Sequence, residues 1–121
     1  MNEDDERFEK IKWGGMTMVR VSVMYPRQEG KTFNLEYYIR EHMTLVHKLM
    51  DSRGLQQAEV DGGIPGIGGS ESPFFAIGHL LFNSVADYET AFTAVGKELI
   101  DDIPHYTNVE PLVFVGEVTM T

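Results

Sequence analysis

Apolar residues alternate with polar ones from Met18 to Tyr25, with Val19, Val21 and Val23 on one side, and Pro26 follows. Period-two alternation of β-branched residues predicts a strand. After a polar loop, Asn34 can cap a helix, and apolar residues then recur at helical spacing to about Met50. Ser52 to Gly54 closes that helix. Leu55–Val60 reads as a weak strand, and 61–73 is rich in glycine without a period, which predicts a loop. Phe74–Phe82 is a strong strand, apolar on both sides. Ser84, with Asp87 three residues on, opens a second helix that runs to about Ile100. A loop with Pro104 and Pro111 leads to a last strand, Leu112–Val118.

The order β-α-β-β-α-β is the α+β, ferredoxin-like pattern: a four-stranded antiparallel sheet with two helices on one face. A weak internal repeat agrees with it. The first helix places Leu35, Tyr38, His42, Leu45 and Leu49 on one stripe, and the second places Val85, Tyr88, Phe92, Val95 and Leu99 on another. Both step by three and four, the spacing of a core-facing helix. His42 stands where the other half has Phe92.

Helices on one face would leave the other face of the sheet polar in a monomer. The strands do not read that way. Phe75, Ile77, His79 and Leu81 alternate with Phe74, Ala76, Gly78, Leu80 and Phe82, and in the last strand Leu112 and Phe114 alternate with Val113 and Val115. Both faces call for cover, and a second copy of the sheet supplies it. The expected state is a homodimer with a barrel-like pairing of sheets. A thicker monomer, covered by the N-terminal residues or the glycine loop, is the other reading.

Composition narrows the function classes. The chain has 121 residues, 42% of them hydrophobic, which fits one domain with one core. It divides into an N-terminal extension, 1–17, and a domain, 18–121. Phe8 and Ile11 share a face, which predicts a short amphipathic helix ahead of Gly14 and Gly15. There is no cysteine, so thiol catalysis and disulfides are excluded. The net charge of −9 and the lack of a basic patch argue against a nucleic-acid partner. No apolar run reaches membrane-spanning length, and the acidic start has no signal-peptide character. A cytoplasmic location is the expectation.

His42 leads the candidate chemistry. A titratable ring in an apolar stripe either finds hydrogen bonds or lines a cavity. Tyr38 lies one turn earlier on the same face, so the pair can act on one ligand, with His42 in acid/base work or ligand orientation. A structural histidine bonded to a backbone carbonyl is the alternative. His79 joins His42 if its side of the strand faces the helices, and is an interface residue if it faces a partner. His47 lies five residues from His42, about 140° around the helix, so the two are not a zinc pair. The run from Asp101 to Asn108 gathers polar and aromatic groups on one loop, among them Asp102, His105, Tyr106 and Thr107. No metal site and no cofactor are called for. The glycines from Gly62 to Gly69 do not form a phosphate loop: no Gly-Lys-Ser/Thr follows, and a strand rather than a helix comes next. They read as a long hairpin connection or a lid.

Taken together, Val21-Ser22-Val23-Met24-Tyr25-Pro26, the run Phe33 to Val46 with Tyr37-Tyr38 and His42-Met43, the glycine loop, Gly78-His79-Leu80-Leu81-Phe82 and Asp102-Ile103-Pro104-His105-Tyr106-Thr107 resemble the EthD-like family, named for ethyl tert-butyl ether degradation. The resemblance covers about Met18 to Thr119. It departs at Thr44, where members usually have proline, and at His105, where they often have asparagine. It implies a dimeric α+β barrel. Proteins similar in that fold include cofactor-free monooxygenases, muconolactone-type isomerases, decarboxylases and haem enzymes, with sites commonly in a cavity between sheet and helices; fold likeness alone assigns no reaction. Three functions follow as expectations. The first is binding or transformation of a small apolar or aromatic metabolite beside His42 and Tyr38, with His79, Asp102, Tyr106 and Thr107 as ligand-binding residues. The second is a non-catalytic accessory role in an oxygenase or ether-degradation pathway. The third is haem binding through His42 or His79.

Overall fold

The structure, a computed structural model, describes residues 17–121. The expected extension helix therefore lies outside the described residues. The elements follow the predicted order: β1 (Val19–Pro26), α1 (residues 35–50), β2 (Leu55–Gly62), β3 (Phe74–Phe82), α2 (Val85–Asp102) and β4 (Leu112–Glu117). The sheet runs β2-β3-β1-β4 and every neighbouring pair is antiparallel. Element ends differ from the sequence reading by one or two residues. β1 includes Pro26 after a register shift at Tyr25/Pro26, and α2 continues two residues past Ile100 to Asp102.

The local signals act as the residue types dictate. Asn34 Oδ1 accepts the Tyr37 N–H at 3.0 Å and Ser84 Oγ accepts the Asp87 N–H at 3.1 Å, so each helix begins with a filled cap. Gly54, at φ +101°, takes the left-handed conformation that ends the turn Asp51–Arg53 after α1.

The core lies between the sheet and the helices. Val19, Val21 and Tyr25 of β1 and Ala76, Leu80 and Phe82 of β3 are buried there, and Phe75 packs against this core through Phe33, while Ile77, His79 and Leu81 face the other way and are only half-buried. The two helices bury their expected stripes differently. In α1 the buried set is Tyr38, His42, Met43, Val46 and Met50, not the predicted series through Leu45 and Leu49, which are half-buried, and Leu35 is exposed. The cause is a π-helical segment, Tyr38–His42, in which the Met43 N–H bonds back five residues to the Tyr38 carbonyl. One extra residue in a turn moves the inward face one position along the chain, from Leu45 to Val46 and from Leu49 to Met50. In α2, Val95 and Leu99 are buried as predicted together with Ala91 and Gly96, but Val85 and Phe92 are exposed, Phe92 by 41%. Phe92 is therefore not the core counterpart of His42. Its ring rests against Gly96 and borders an unfilled space.

Two loops are stitched together beside the helices. The Asn34 N–H donates to the Tyr106 carbonyl at 2.7 Å, Thr107 Oγ1 donates to the Thr32 carbonyl at 2.6 Å, and Phe33 and Thr107 form a β-bridge. This seam joins the start of α1 to the segment after α2.

Tyr38 spans the core to the sheet, and its hydroxyl occupies the place where a side chain on Gly78 would begin. The Tyr38 ring is almost wholly buried. Gly78→Ala should lower stability by about 1–3 kcal/mol in urea unfolding. Tyr38→Phe, which removes the hydroxyl, should recover most of that loss in the double variant. Additive losses would show that the two sites do not press on each other.

Candidate functional site

Burial alone would make His42 costly, because an enclosed imidazole needs partners for its polar atoms. It finds one on α2. His42 Nδ1 lies 2.9 Å from Asp102 Oδ2, with side-chain exposures of 8% and 13%. With Nδ1–H donating to the carboxylate, Nε2 carries the free lone pair. Its contact is a long one, 3.5 Å to the Tyr106 hydroxyl. Tyr106 in turn shares a 2.6 Å hydrogen bond with the Tyr25 hydroxyl.

Asp102 accepts more than one bond. Its other oxygen, Oδ1, takes the Tyr37 O–H at 2.9 Å and His105 Nδ1 at 2.9 Å. Burial pushes the carboxyl up, but the hydrogen bonds from His105, His42 and Tyr37 together outweigh it and hold Asp102 below the usual carboxylate range. For His42, burial is the larger effect and pushes the imidazole down, against the hydrogen bond and charge of Asp102. Burial raises the phenols of Tyr25, Tyr38 and Tyr106 as well, so they keep their protons and can donate but not act as phenolates.

In front of His42 is a cavity of about 340 Å³ between the helices and the sheet. Tyr25, Tyr38 and His42 form its polar end, and Val21, Val23, Leu80, Tyr88 and Phe92 are among its apolar walls. Among the described residues, no Lys or Arg borders it and Glu110 is its one carboxylate. Among the described residues, no three His, Asp or Glu side chains converge to hold a metal ion.

The structure brings together His42, Tyr38, Asp102 and Tyr106 from the sequence-derived set. Asp102 and Tyr106 stand behind His42 rather than in the cavity wall. Thr107 is elsewhere: its hydroxyl is spent on the Thr32 carbonyl and the Val109 N–H, in the seam. Tyr106 and Thr107 border a wider open groove of about 620 Å³ with Thr32, Asn34 and His105, where the polar atoms serve the seam. His79 does not reach His42. It lies on the open face of the sheet, with Nδ1 2.9 Å from Ser22 Oγ and Nε2 3.1 Å from Asp61 Oδ2. This Ser-His-Asp chain lacks the means to stabilise an oxyanion, because Ser22 sits in a strand paired on both sides and its neighbouring N–H groups belong to the ladder. The glycine loop does not border the His42 cavity either.

No family model matches the chain, and no curated protein does. Solved structures do. An EthD-like protein from Ralstonia eutropha is 30% identical, with 85% of this chain and 93% of that chain covered and a TM-score of 0.79. The chain belongs to the EthD-like family. An ethyl tert-butyl ether degradation (EthD) family protein from Bacillus halodurans shares the fold at 21% identity, with 83% and 97% covered and a TM-score of 0.58. So does a hydroxynitrile lyase from Passiflora edulis at 14% identity, with 87% and 96% covered and a TM-score of 0.64.

Two features of this EthD-like chain escaped sequence reasoning. Tyr25 shares the inward parity of Val19, Val21 and Val23, so its place beside the cavity was recoverable from the alternation. Tyr37 was not: it neighbours Tyr38 but points off the core face, and only the arrival of Asp102 from α2 gives its hydroxyl a role. Thr44, where the sequence resemblance leads one to expect proline, donates its hydroxyl to the Arg40 carbonyl at 2.7 Å, just after the π-helical segment. A proline there would have no such donor.

Because the folded chain holds the His42 proton less tightly than a free imidazole, the unfolded chain takes up that proton first as the pH falls below about 6.5. Stability from this residue is therefore full above that pH, declines down to the folded-state midpoint, and levels off below it. Thermal melts from about pH 8 to about pH 5 should show a smaller drop in Tm for His42→Gln than for wild type. Equal drops would contradict the depressed proton affinity.

Proposed function

We propose that this EthD-like protein binds a small, neutral, apolar or aromatic molecule in the cavity beside His42, and that His42 exchanges a proton with it. One observation carries the reading. His42 is tied through Nδ1 to Asp102, not to backbone, so the imidazole is oriented, Nε2 keeps its lone pair, and the residue lines the polar end of an apolar cavity. The bound molecule would present a weakly acidic O–H or C–H to Nε2, with the Tyr38 hydroxyl as donor to an adjacent oxygen. A wall whose described residues include no Lys or Arg favours a neutral ligand over an anion. A non-catalytic accessory role in ether degradation calls for a filled interior, which the cavity does not favour.

The working unit is proposed to be a homodimer formed through the open face of the sheet. Leu112 and Phe114 of β4 lie on that face at 55% and 61% exposure, beside Met24 of β1 and Ile77 and Leu81 of β3. Contiguous exposed apolar surface of this kind marks an interaction site. No described helix is long and apolar enough to cross a membrane.

A screen of small phenols and ketones by thermal shift tests the ligand reading. A true ligand at about 100 times its Kd stabilises by about 2.7 kcal/mol, a rise in Tm of several degrees. His42→Gln should lose most of that rise. Equal protection of both proteins would remove His42 from the site, and no protection by any compound would count against the cavity as a binding site. Sedimentation velocity tests the assembly: wild type should run as a dimer and Phe114→Asp as a folded monomer. A monomeric wild type would overturn the dimer.

A further inference from the structure

Asp102 is shared by two histidines of opposite exposure. His42, 8% exposed, holds Oδ2, and His105, 65% exposed, holds Oδ1, each at 2.9 Å. One faces the cavity and the other faces solvent. The carboxylate between them is anchored at the same time by the Tyr37 hydroxyl. We propose that His105 is a positioning residue: by sharing the Asp102 carboxylate with His42, it makes the proton affinity of the cavity histidine depend on the charge of a solvent-exposed imidazole. The proposal rests on the reading of His42 as the group that exchanges a proton in the cavity.

The chemistry follows from the hydrogen bonds. A neutral His105 donates Nδ1–H to Asp102 and leaves Nε2 to water. Protonation at Nε2 keeps that hydrogen bond and adds a full positive charge against the same carboxylate. One carboxylate cannot compensate two imidazolium ions as well as it compensates one, so the second proton binds more weakly. Charging His105 therefore keeps His42 neutral, in the proton-accepting form, to lower pH than Asp102 alone would allow.

The other charged and titratable neighbours do not supply this effect. Tyr37 and Tyr106, which pack against the pair, are phenols held in the protonated form. Asp101, next to Asp102 on α2, is engaged by Lys97 at 2.6 Å, and Glu41 of α1 acts on Tyr37. His105 is the group on this carboxylate that can gain charge from solvent.

The test is a nitrogen-detected NMR titration of His42 in the full-length protein without ligand, from about pH 8 to about pH 4, in wild type, His105→Asn and Asp102→Asn. Asparagine keeps a donor for Asp102 and cannot be protonated. His105→Asn should raise the His42 proton affinity by about threefold and give a single-site curve. Asp102→Asn should move His42 the other way. A His105 that only braces the loop would leave the His42 midpoint in place, and that result overturns the proposal. Should His105→Asn not fold, His105→Gln takes its place, with the same shift supporting the coupling and an unmoved His42 midpoint overturning it. Failure of every ligand to protect the protein would sink the cavity reading while leaving this coupling intact, so the two failures are distinguishable.

Discussion

The Asp102 carboxylate joins the parts of this molecule that chemistry would need joined. It stands at the end of α2 and accepts hydrogen bonds from Tyr37 and His42 of α1 and from His105 beyond α2. A carboxylate with little access to water is expensive unless its lone pairs are filled, and here they are filled by the groups whose orientation matters. Removing it would free the His42 ring, unpartner Tyr37 and leave a buried imidazole without its acceptor. The seam of Thr32–Asn34 against Tyr106–Asn108 holds the same two helices from the other side. Between them, the carboxylate and the seam set the angle at which His42 meets the cavity.

The cavity has a physical cause. Tyr38 reaches across to Gly78, and the absent side chain there lets the phenol approach the strand. On the α2 side Phe92 leans over Gly96 rather than filling the interior. An aromatic end and an aromatic wall thus stand apart, with aliphatic β1 and β3 residues beneath. The π-helical turn of α1 adds the last adjustment, since it brings Tyr38, His42 and Met43 to the interior together. π-Helical turns are rare and frequent at functional sites.

The sheet divides the labour between its faces. One face carries the cavity and its phenols. The other carries Met24, Ile77, Leu81, Leu112 and Phe114 beside a polar run of Ser22, His79 and Asp61. His79 belongs to that second face, hydrogen-bonded across strands beside Ile77 and Leu81, and is not a wall of the His42 site.

The sequence by itself determined the element order, both helix caps, the Phe74–Phe82 strand and the antiparallel two-layer plan, because periodicity, caps and turn residues are local and act over a few positions. It also singled out His42 as a polar ring on an apolar face. It could not determine which way β3 turns His79, since a strand apolar on both sides has no marked inner face. It could not show the π-helical turn either, which moved the buried face from Leu45 and Leu49 to Val46 and Met50 by inserting one residue that no spacing rule announces. The union of Tyr37 and His42 with Asp102 and His105 was decided by tertiary structure: the two pairs lie about sixty positions apart in the chain, and only the packing of α1 against the end of α2 turns a lone histidine into an oriented one.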